Sequence, residues 1–198
     1  MRIWFTSDHH FGHHKIIGYC NRPFNSVGHM DALLEYHWNN VVQPDDVVYY
    51  LGDFAMKAPR VAELLSRLNG IKHLIPGNHD RCHPRIGQKK WIPEYIKAGV
   101  ATVQTELELE IAGEQVLLQH FPYRDLTNRN QRHHMSRPLD EGKWLIHGHV
   151  HDRWQVKDKQ INVGVDVWNF EPVSLEAIEQ IIKNGPVVCA ADEGTRLA

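Results

Sequence analysis

The sequence predicts an α/β fold, and two observations lead to this prediction. Between residues 2 and 75, apolar runs typical of buried strands alternate with amphipathic runs typical of helices. This order is expected for a parallel sheet with crossover helices. Between residues 100 and 165, strand-like runs follow one another with few helical segments between them, which indicates a second and more antiparallel set of strands. The 198 residues suffice for one domain with a sizeable core.

The first part of the chain contains three predicted strands and two predicted helices. The strands cover residues 2–7, 47–51 and 71–75. The first helix covers residues 29–42, because apolar side chains recur there on one face, at Met30, Leu33, Leu34, Trp38 and Val41. The second helix covers residues 59–69, with Pro59 in its first turn and Gly70 at its end.

The second part of the chain contains five predicted strands and one predicted helix. The strands cover residues 100–105, 106–111, 115–119, 143–146 and 160–165, and a hairpin turn is expected at residues 112–114. Ser174 is a suitable N-cap for a last helix that runs through Ile182 and ends near Gly185. No repeat or change in composition suggests a boundary, so we expect a single domain over residues 1–185 and a loose tail over residues 186–198.

Histidine is unusually frequent, with 15 residues against six phenylalanines. Since histidine is the commonest metal ligand, this surplus favours a metal site. The formal net charge of −2 gives no global basic field for holding nucleic acid. The three cysteines show no C-x-x-C spacing, and no signal peptide or membrane-spanning apolar run is visible. We therefore expect a cytoplasmic protein that does not bind a membrane.

Short polar motifs follow directly on the predicted strands. There are five of them: Asp8-His9-His10, Gly52-Asp53, Gly77-Asn78-His79-Asp80, His120, and Gly148-His149-Val150-His151. Ligands in α/β sheets gather at the carboxyl ends of strands, so the five motifs are expected to converge on one crevice. If the chain is extended there, Asp8 and His10 point to one side, and so do His149 and His151.

The residue types of these motifs are those of a metal site. Taken alone, a Gly-Asp pair is typical of a turn, and a histidine at a strand end is typical of a simple hydrogen bond. The full set supplies two carboxylates, four imidazoles and an amide oxygen. Such mixed oxygen and nitrogen ligands suit Mn, Fe, Zn, Co or Ni. The sequence therefore predicts a metal centre without a thiolate ligand.

The motif order D-x-H, G-D, G-N-H-D, H and G-H-x-H resembles the calcineurin-like metallophosphoesterase superfamily. Three further segments, at residues 11–13, 22–24 and 164–168, are similar to those of small bacterial and phage members. The resemblance covers nearly the whole chain except the tail. It implies a four-layer α-β-β-α sandwich, in which two mixed β-sheets are flanked by helices on the outer faces.

The resemblance also implies a centre of two divalent ions. We expect Mn, with Fe, Zn, Co or Ni as alternatives. Seven side chains are assigned to the ions: Asp8, His10 and His151 to the first, Asn78, His120 and His149 to the second, and Asp53 as a bridge. The implied reaction is hydrolysis of a phosphate mono- or diester by attack of a metal-bridging hydroxide. His79 faces the substrate as the catalytic general acid.

One departure from the superfamily concerns the orientation of His79. Superfamily Ser/Thr protein phosphatases carry G-D-x-x-D-R-G, whereas Met56 occupies the position of the aspartate that partners their catalytic histidine. Protein phosphatase activity is therefore not expected, and the group that orients His79 is open. The neighbouring Asp80 either takes part in that orientation or braces the turn.

Three residues are candidate substrate contacts. His13 either contacts substrate or supports the ligands, Arg22 either binds phosphate or braces a loop, and Arg124 begins a cationic loop after His120. This loop, residues 122–142, also carries Arg129, Arg132, His133, His134 and Arg137. It is either a substrate-contacting lid or a solvated loop whose charges acidic neighbours partly offset.

The same motifs are compatible with more than one function. The substrate is expected to be a small phosphorylated molecule or a nucleotide. A phosphodiesterase or nuclease acting on cyclic nucleotides or nucleic acid is the main alternative. A non-catalytic scaffold is a more distant one, since every ligand position and His79 are present. The sequence does not indicate an oligomeric state.

Overall fold

Two five-stranded sheets form the framework of the protein. The computed structural model describes residues 1–55, 58–86, 88–127 and 132–187, and within them ten strands and five helices are found. Both sheets contain parallel and antiparallel pairs. The predicted α/β fold with two mixed sheets is therefore confirmed.

The first sheet has the strand order β10-β1-β2-β3-β4. Its strands are β1 (Ile3–Thr6), β2 (Val47–Tyr50), β3 (Ile71–Leu74), β4 (Val100–Val103) and β10 (Val173–Ser174). Strands β1 to β4 run parallel, and β10 pairs with β1 in the antiparallel direction. The carboxyl ends of β1, β2 and β3 consequently lie side by side.

The second sheet has the strand order β5-β6-β7-β9-β8. Its strands are β5 (Leu107–Ile111), β6 (Glu114–Leu118), β7 (Trp144–His147), β8 (Val156–Lys157) and β9 (Gln160–Asn162). The expected hairpin joins β5 to β6, with positive φ at Ala112 and Gly113 as in a type I′ turn. The sheet is less antiparallel than predicted, because the long connection after β6 allows β7 to run parallel to it.

Five helices accompany the sheets. They are α1 (His14–Tyr19), α2 (Val27–Val41), α3 (Ala58–Arg67), α4 (Gln88–Lys97) and α5 (Leu175–Asn184). The sequence predicted α2, α3 and α5 but neither α1, which is only six residues long, nor α4, which contains Pro93. Because α4 connects β3 to β4, β4 joins the first sheet rather than the second set of strands to which the sequence assigned it.

Both faces of the first sheet are covered by apolar side chains. Trp4 of β1 belongs to a buried cluster with helix residues such as Trp38, whereas the next residue, Phe5, belongs to a cluster with Ile146 of the second sheet. The isoleucines of α5 join this second cluster. The two clusters therefore form the apolar layers on either side of this sheet.

Within the described ranges, no helix combines the length and the apolar composition needed to cross a bilayer. Most of the predicted C-terminal tail, residues 188–198, lies outside the described residues.

Candidate metal centre

The polar motifs lie at the carboxyl ends of five strands, β1, β2, β3, β6 and β7. Backbone hydrogen bonds join the loops to one another. The amide of Asp8 donates to the Gly52 carbonyl at 3.0 Å, and the amide of Gly148 donates to the His120 carbonyl at 3.0 Å. Each of these bonds joins two loops of the same sheet, and a third bond, from the Ser7 amide to the Val163 carbonyl at 3.1 Å, joins the first sheet to the second.

The backbone at the predicted ligands is unusual. Five of them have φ between 52° and 71°, in the left-handed region: Asp8, His10, Asp53, His149 and His151. The extended conformation assumed from the sequence for Asp8, His10, His149 and His151 is therefore wrong, although Asp8 and His10 do lie close together. A non-glycine residue in this region costs on the order of 1–3 kcal/mol, and it persists only where the surrounding structure enforces it.

Two motif glycines permit the close approach of the loops. A Cβ atom on Gly77 would overlap the Asp53 carboxylate, and one on Gly148 would overlap the Asp8 carboxylate. Any side chain at either position would displace a carboxylate of the site. Glycine is required here because the backbone itself forms the wall behind the ligands.

The ligand atoms form two adjacent groups. Atoms of Asp8, His10 and His151 lie within 4.8 Å of one another, and so do atoms of Asp8, Asp53 and His120. The Oδ2 atom of Asp53 lies 3.6 Å from Nε2 of His10 and also 3.6 Å from Nε2 of His120. Asp53 is thus equidistant from one histidine of each group, and Asp8 belongs to both.

The two other predicted ligands lie beside the second group. Oδ1 of Asn78 is 3.3 Å from Nε2 of His120. The ring of His149 is centred 5.3 Å from that of His120 and 4.7 Å from that of Phe121. The structure therefore brings together all seven side chains that the sequence predicted.

Hydrogen bonds fix the orientation of the predicted ligand side chains. Nδ1 of His120 lies 2.6 Å from the Leu51 carbonyl, which leaves Nε2 turned towards Asp53. The Ser7 hydroxyl and the His149 amide both donate to Oδ2 of Asp8, at 2.7 and 2.8 Å. Such outer contacts orient metal ligands and set which ring nitrogen is available.

Several buried ligand atoms have no hydrogen-bond partner in the described part of the chain. They include Oδ1 of Asp8 and both ring nitrogens of His10. Burial, together with the nearby Asp8, raises the pKa of Asp53 well above its usual range. The buried carboxylates of Asp8 and Asp53 lie close together without enough positive charge nearby to balance their negative charge. Divalent ions would supply this positive charge and would also take a free nitrogen of His10 as a ligand. The residues present therefore fit a pair of divalent metals.

The imidazole ligands differ in their protonation. Burial lowers the pKa of His10, His120 and His149, so these rings are neutral at pH 7. Burial acts in the same direction on His151, but Asp8 and Asp166 outweigh it and raise its pKa to about 11. In the metal-free protein, an imidazolium at His151 supplies part of the missing positive charge.

Asp80 braces the bridging loop. Its Oδ2 accepts hydrogen bonds from the amides of Asp53 and Gly77, at 2.7 and 2.8 Å, and its Oδ1 accepts one from Phe54 at 3.1 Å. Burial and the neighbouring Asp53 raise its pKa to about 7. Of the two roles that the sequence left open, bracing is the one seen in the structure.

His79 lies at the surface of the site. Its amide donates to Oδ1 of Asp53 at 2.8 Å, and its ring is centred 5.2 Å from that of His10. No carboxylate pairs with this ring among the residues that the structure describes, and Met56 lies outside them.

The three candidate substrate contacts have different positions. The ring of His13 is centred 5.6 Å from that of His10, next to the site. Arg22 is buried and is paired with Asp166 at 2.7 Å, and it also donates to the carbonyl of His9. The predicted substrate contact of Arg22 is therefore corrected to a structural brace.

Arg124 lies in the cationic loop, and its predicted substrate contact stays a prediction. It donates to the Arg137 carbonyl at 3.1 Å and does not line the cleft at the ligand cluster. Its guanidinium thus contacts the backbone of the cationic loop.

A cleft of about 590 Å³ opens onto the ligands. Asn78, His79, His149 and His151 form part of its wall, and Arg132 and Arg137 of the cationic loop form another part. Residues 128–131, which include Arg129, lie outside the described residues. The described part of the loop is thus adjacent to the site, as the sequence suggested for a loop that follows His120.

Sequence reasoning assigned no role to Asp166, which lies 3.3 Å from Nδ1 of His151 and also holds Arg22. Its signal in the sequence was its place in a segment similar to small members of the superfamily. Cys20 was set aside as well, yet its sulfur lies within 4.8 Å of ligand atoms of His151 and Asp166.

Comparison with known proteins finds relatives that match most of the chain. The chain is 38% identical over 197 residues to the uncharacterized protein MJ1445 of Methanocaldococcus jannaschii, with 94% of both chains covered. It is 35% identical over 181 residues to the gene 66 protein of Mycobacterium phage L5, which covers 83% of this chain and 86% of the phage protein.

The crystal structure of AQ665 from Aquifex aeolicus, a protein of unknown function, matches with a TM-score of 0.66 and 27% identity. The match covers 91% of this chain and 98% of that one. The family model described as the calcineurin-like phosphoesterase superfamily domain matches residues 1–181. On this match, and on the ligand cluster at the strand ends, the chain belongs to the calcineurin-like phosphoesterase superfamily.

Proposed function

We propose that the protein hydrolyses a phosphate ester of a small phosphorylated molecule or a nucleotide, with two divalent ions held at the carboxyl ends of its strands. The observation that carries this proposal is the position of Asp53, whose Oδ2 lies 3.6 Å from a histidine of each ligand group. A carboxylate between two sets of ligands is placed to serve both ions. Membership of the superfamily supports a metal-dependent phosphoesterase in general.

The metals that we propose are Mn ions, in keeping with the oxygen and nitrogen ligands. When bound, a pair of divalent ions supplies a water of lowered pKa and positive charge against phosphate oxygens. Asp8 and Asp53 would hold these ions through their carboxylates. His10, His120 and His149 are already neutral at pH 7 and need no deprotonation to act as ligands.

His79 is placed to donate a proton to the leaving oxygen. Its amide is bonded to the Asp53 carboxylate, which keeps the residue beside the centre, and its ring lines the cleft. Burial and the nearby His13 lower its pKa to about 4, so it is neutral at pH 7 in the unliganded protein. The negative charge of a bound phosphate within about 4–6 Å raises a histidine pKa by roughly 1–3 units. Protonation of His79 is therefore coupled to substrate binding.

Hydrolysis of p-nitrophenyl phosphate and of bis-p-nitrophenyl phosphate, each with added Mn²⁺, tests the proposal. Turnover of the first indicates a phosphomonoesterase, and turnover of the second indicates a phosphodiesterase. Asp53→Asn should abolish whichever activity is found, whereas Asp45→Asn, at an exposed residue outside the site, should leave it unchanged. A wild-type protein that binds metal but hydrolyses neither ester would support the scaffold alternative.

A further inference from the structure

The cleft wall contributed by the cationic loop contains an arginine that is buried without an ionic partner. The residue Arg137 is only 7% exposed and lines the cleft. Its Nε donates to the Arg132 carbonyl at 3.3 Å. No carboxylate lies within ion-pairing distance of its guanidinium in residues 1–55, 58–86, 88–127 and 132–187. Burying a charge in this way is costly unless a ligand completes its pairing.

The charge of Arg137 is retained at neutral pH. Burial and the nearby Arg153 lower its pKa to about 10, and Asp125, which is not within ion-pairing distance, acts to a lesser extent in the opposite direction. Two exposed arginines, Arg132 and Arg153, line the same cleft. We call the three residues Arg132, Arg137 and Arg153 the arginine wall.

The acidic residues of the cleft do not cancel the positive charge of the arginine wall. Asp125 and Asp152 also line it, and both already have interactions of their own. The arginine wall therefore carries one positive charge more than these two aspartates supply in negative charge.

The arginine wall adjoins the ligand cluster but supplies charge beyond what a single phosphate requires. His133 of the cationic loop follows Arg132 of the arginine wall, and its ring is centred 5.5 Å from that of the predicted ligand His149. Two divalent ions set against Asp8 and Asp53 leave two positive charges, enough to balance the scissile phosphate. A guanidinium matches the geometry of a phosphate through paired N–H donors. The surplus cations are thus suited to a second anionic group on the same molecule.

We propose that the substrate carries a second phosphate next to the scissile ester, and that the arginine wall binds it. This inference rests on the proposed function, because it presumes that the ligand cluster takes the first phosphate. The cleft of about 590 Å³ is large enough for such a molecule, since ligand pockets usually measure about 300–1,000 Å³. The substrate class is therefore a bisphosphorylated molecule of nucleotide size.

Adenosine 3′,5′-bisphosphate and adenosine 5′-monophosphate form a matched pair of probes, because they differ by one phosphate. We would measure each as a competitor of p-nitrophenyl phosphate hydrolysis, with Mn²⁺ in excess of nucleotide. Wild-type protein should bind the bisphosphate on the order of 10- to 100-fold more tightly, the range for hydrogen bonds to a charged group. Arg137→Gln should remove most of this preference while changing p-nitrophenyl phosphate turnover by less than about two-fold.

Further variants keep the result interpretable. Arg132→Gln and Arg153→Gln alter exposed residues and should each reduce the preference even if Arg137→Gln does not fold. Arg67→Gln on the surface of α3 is the matched control and should leave the preference intact. Equal losses for both nucleotides would show that the arginine wall serves the scissile phosphate and would overturn the inference, as would an unchanged preference.

Calorimetry measures the binding of the two nucleotides to the Mn²⁺-loaded protein. Together with the hydrolysis assays, it separates a failure of the second-phosphate site from a failure of the proposed function. Absence of turnover with every ester would refute the proposed function. Turnover together with equal affinity for the two nucleotides, or with no affinity for either, would refute the second-phosphate site alone.

Discussion

The substitution Asp80→Asn tests whether the bridging loop is held by one buried carboxylate. In the wild type, this side chain accepts three backbone hydrogen bonds, two from the loop after β2 and one from the loop after β3. An asparagine retains one oxygen acceptor and places an amide nitrogen where the second oxygen was. If its oxygen continues to accept from Asp53 and Gly77, the amide of Phe54 is left facing another donor.

The expected loss follows from these contacts. A buried donor without an acceptor costs about 1–3 kcal/mol, and the two bonds that remain lose their charge-assisted strength, about 1 kcal/mol together. Burial and the repulsion from Asp53 together raise the Asp80 pKa to about 7, and removal of this repulsion offsets part of the loss. The free energy of unfolding should therefore fall by roughly 2 kcal/mol, which lowers the Tm by about 4–8 °C for a chain of this size.

Thermal unfolding monitored by circular dichroism, with metal analysis of the same samples, measures this effect. Asp45→Asn is the matched control, because it makes the same chemical change at an exposed side chain. Surface substitutions of this kind usually stay within about 0.5 kcal/mol. An Asp80→Asn variant with the Tm and metal content of the control would refute the bracing role.

Three other predictions concern the proposed role of His79, the proton on His151 and the buried ion pair of Arg22 with Asp166. His79→Asn should keep both metals but slow alkyl phosphates far more than p-nitrophenyl phosphate; equal kcat losses would make His79 a positioning group. Because the pKa of His151 is about 11, its ring holds a proton below that pH, which a metal must displace. Metal binding should therefore release at least one proton at pH 7, and the metal affinity should increase as pH rises. Calorimetry in buffers of different ionisation heat measures this proton release. The His151→Gln variant should release fewer protons than the wild type. Arg22→Met should cost about 3–5 kcal/mol in urea unfolding, because it leaves Asp166 buried without its arginine, and a cost under about 1 kcal/mol would contradict this.

The helices that were predicted well have a long apolar periodicity and a residue that marks their start or end. Helix α5 begins where Ser174 accepts a hydrogen bond from the Ala177 amide, and it ends at Gly185, whose φ is 85°. Helix α4 gave no such pattern, since Pro93 interrupts it. Its absence from the prediction moved β4 into the wrong sheet.

In the site, chain order and residue type predicted which side chains would meet. The contacts that hold them could not be predicted in the same way, because they join distant parts of the chain. Arg22 and Asp166, separated by 144 positions, form the ion pair beside His151. The left-handed turns at Asp8 and Asp53 likewise follow from tertiary contacts with neighbouring loops and not from local propensity.

The metal content of the wild type and of Asp53→Asn tests the central claim most directly. Each protein would be loaded with Mn²⁺, freed of unbound metal and analysed by mass spectrometry, with ester hydrolysis measured on the same samples. The two-metal account predicts two ions per wild-type chain, and in the variant the loss of at least one ion together with the activity. Full activity with one tightly bound ion per wild-type chain, or two ions retained by Asp53→Asn, would contradict it.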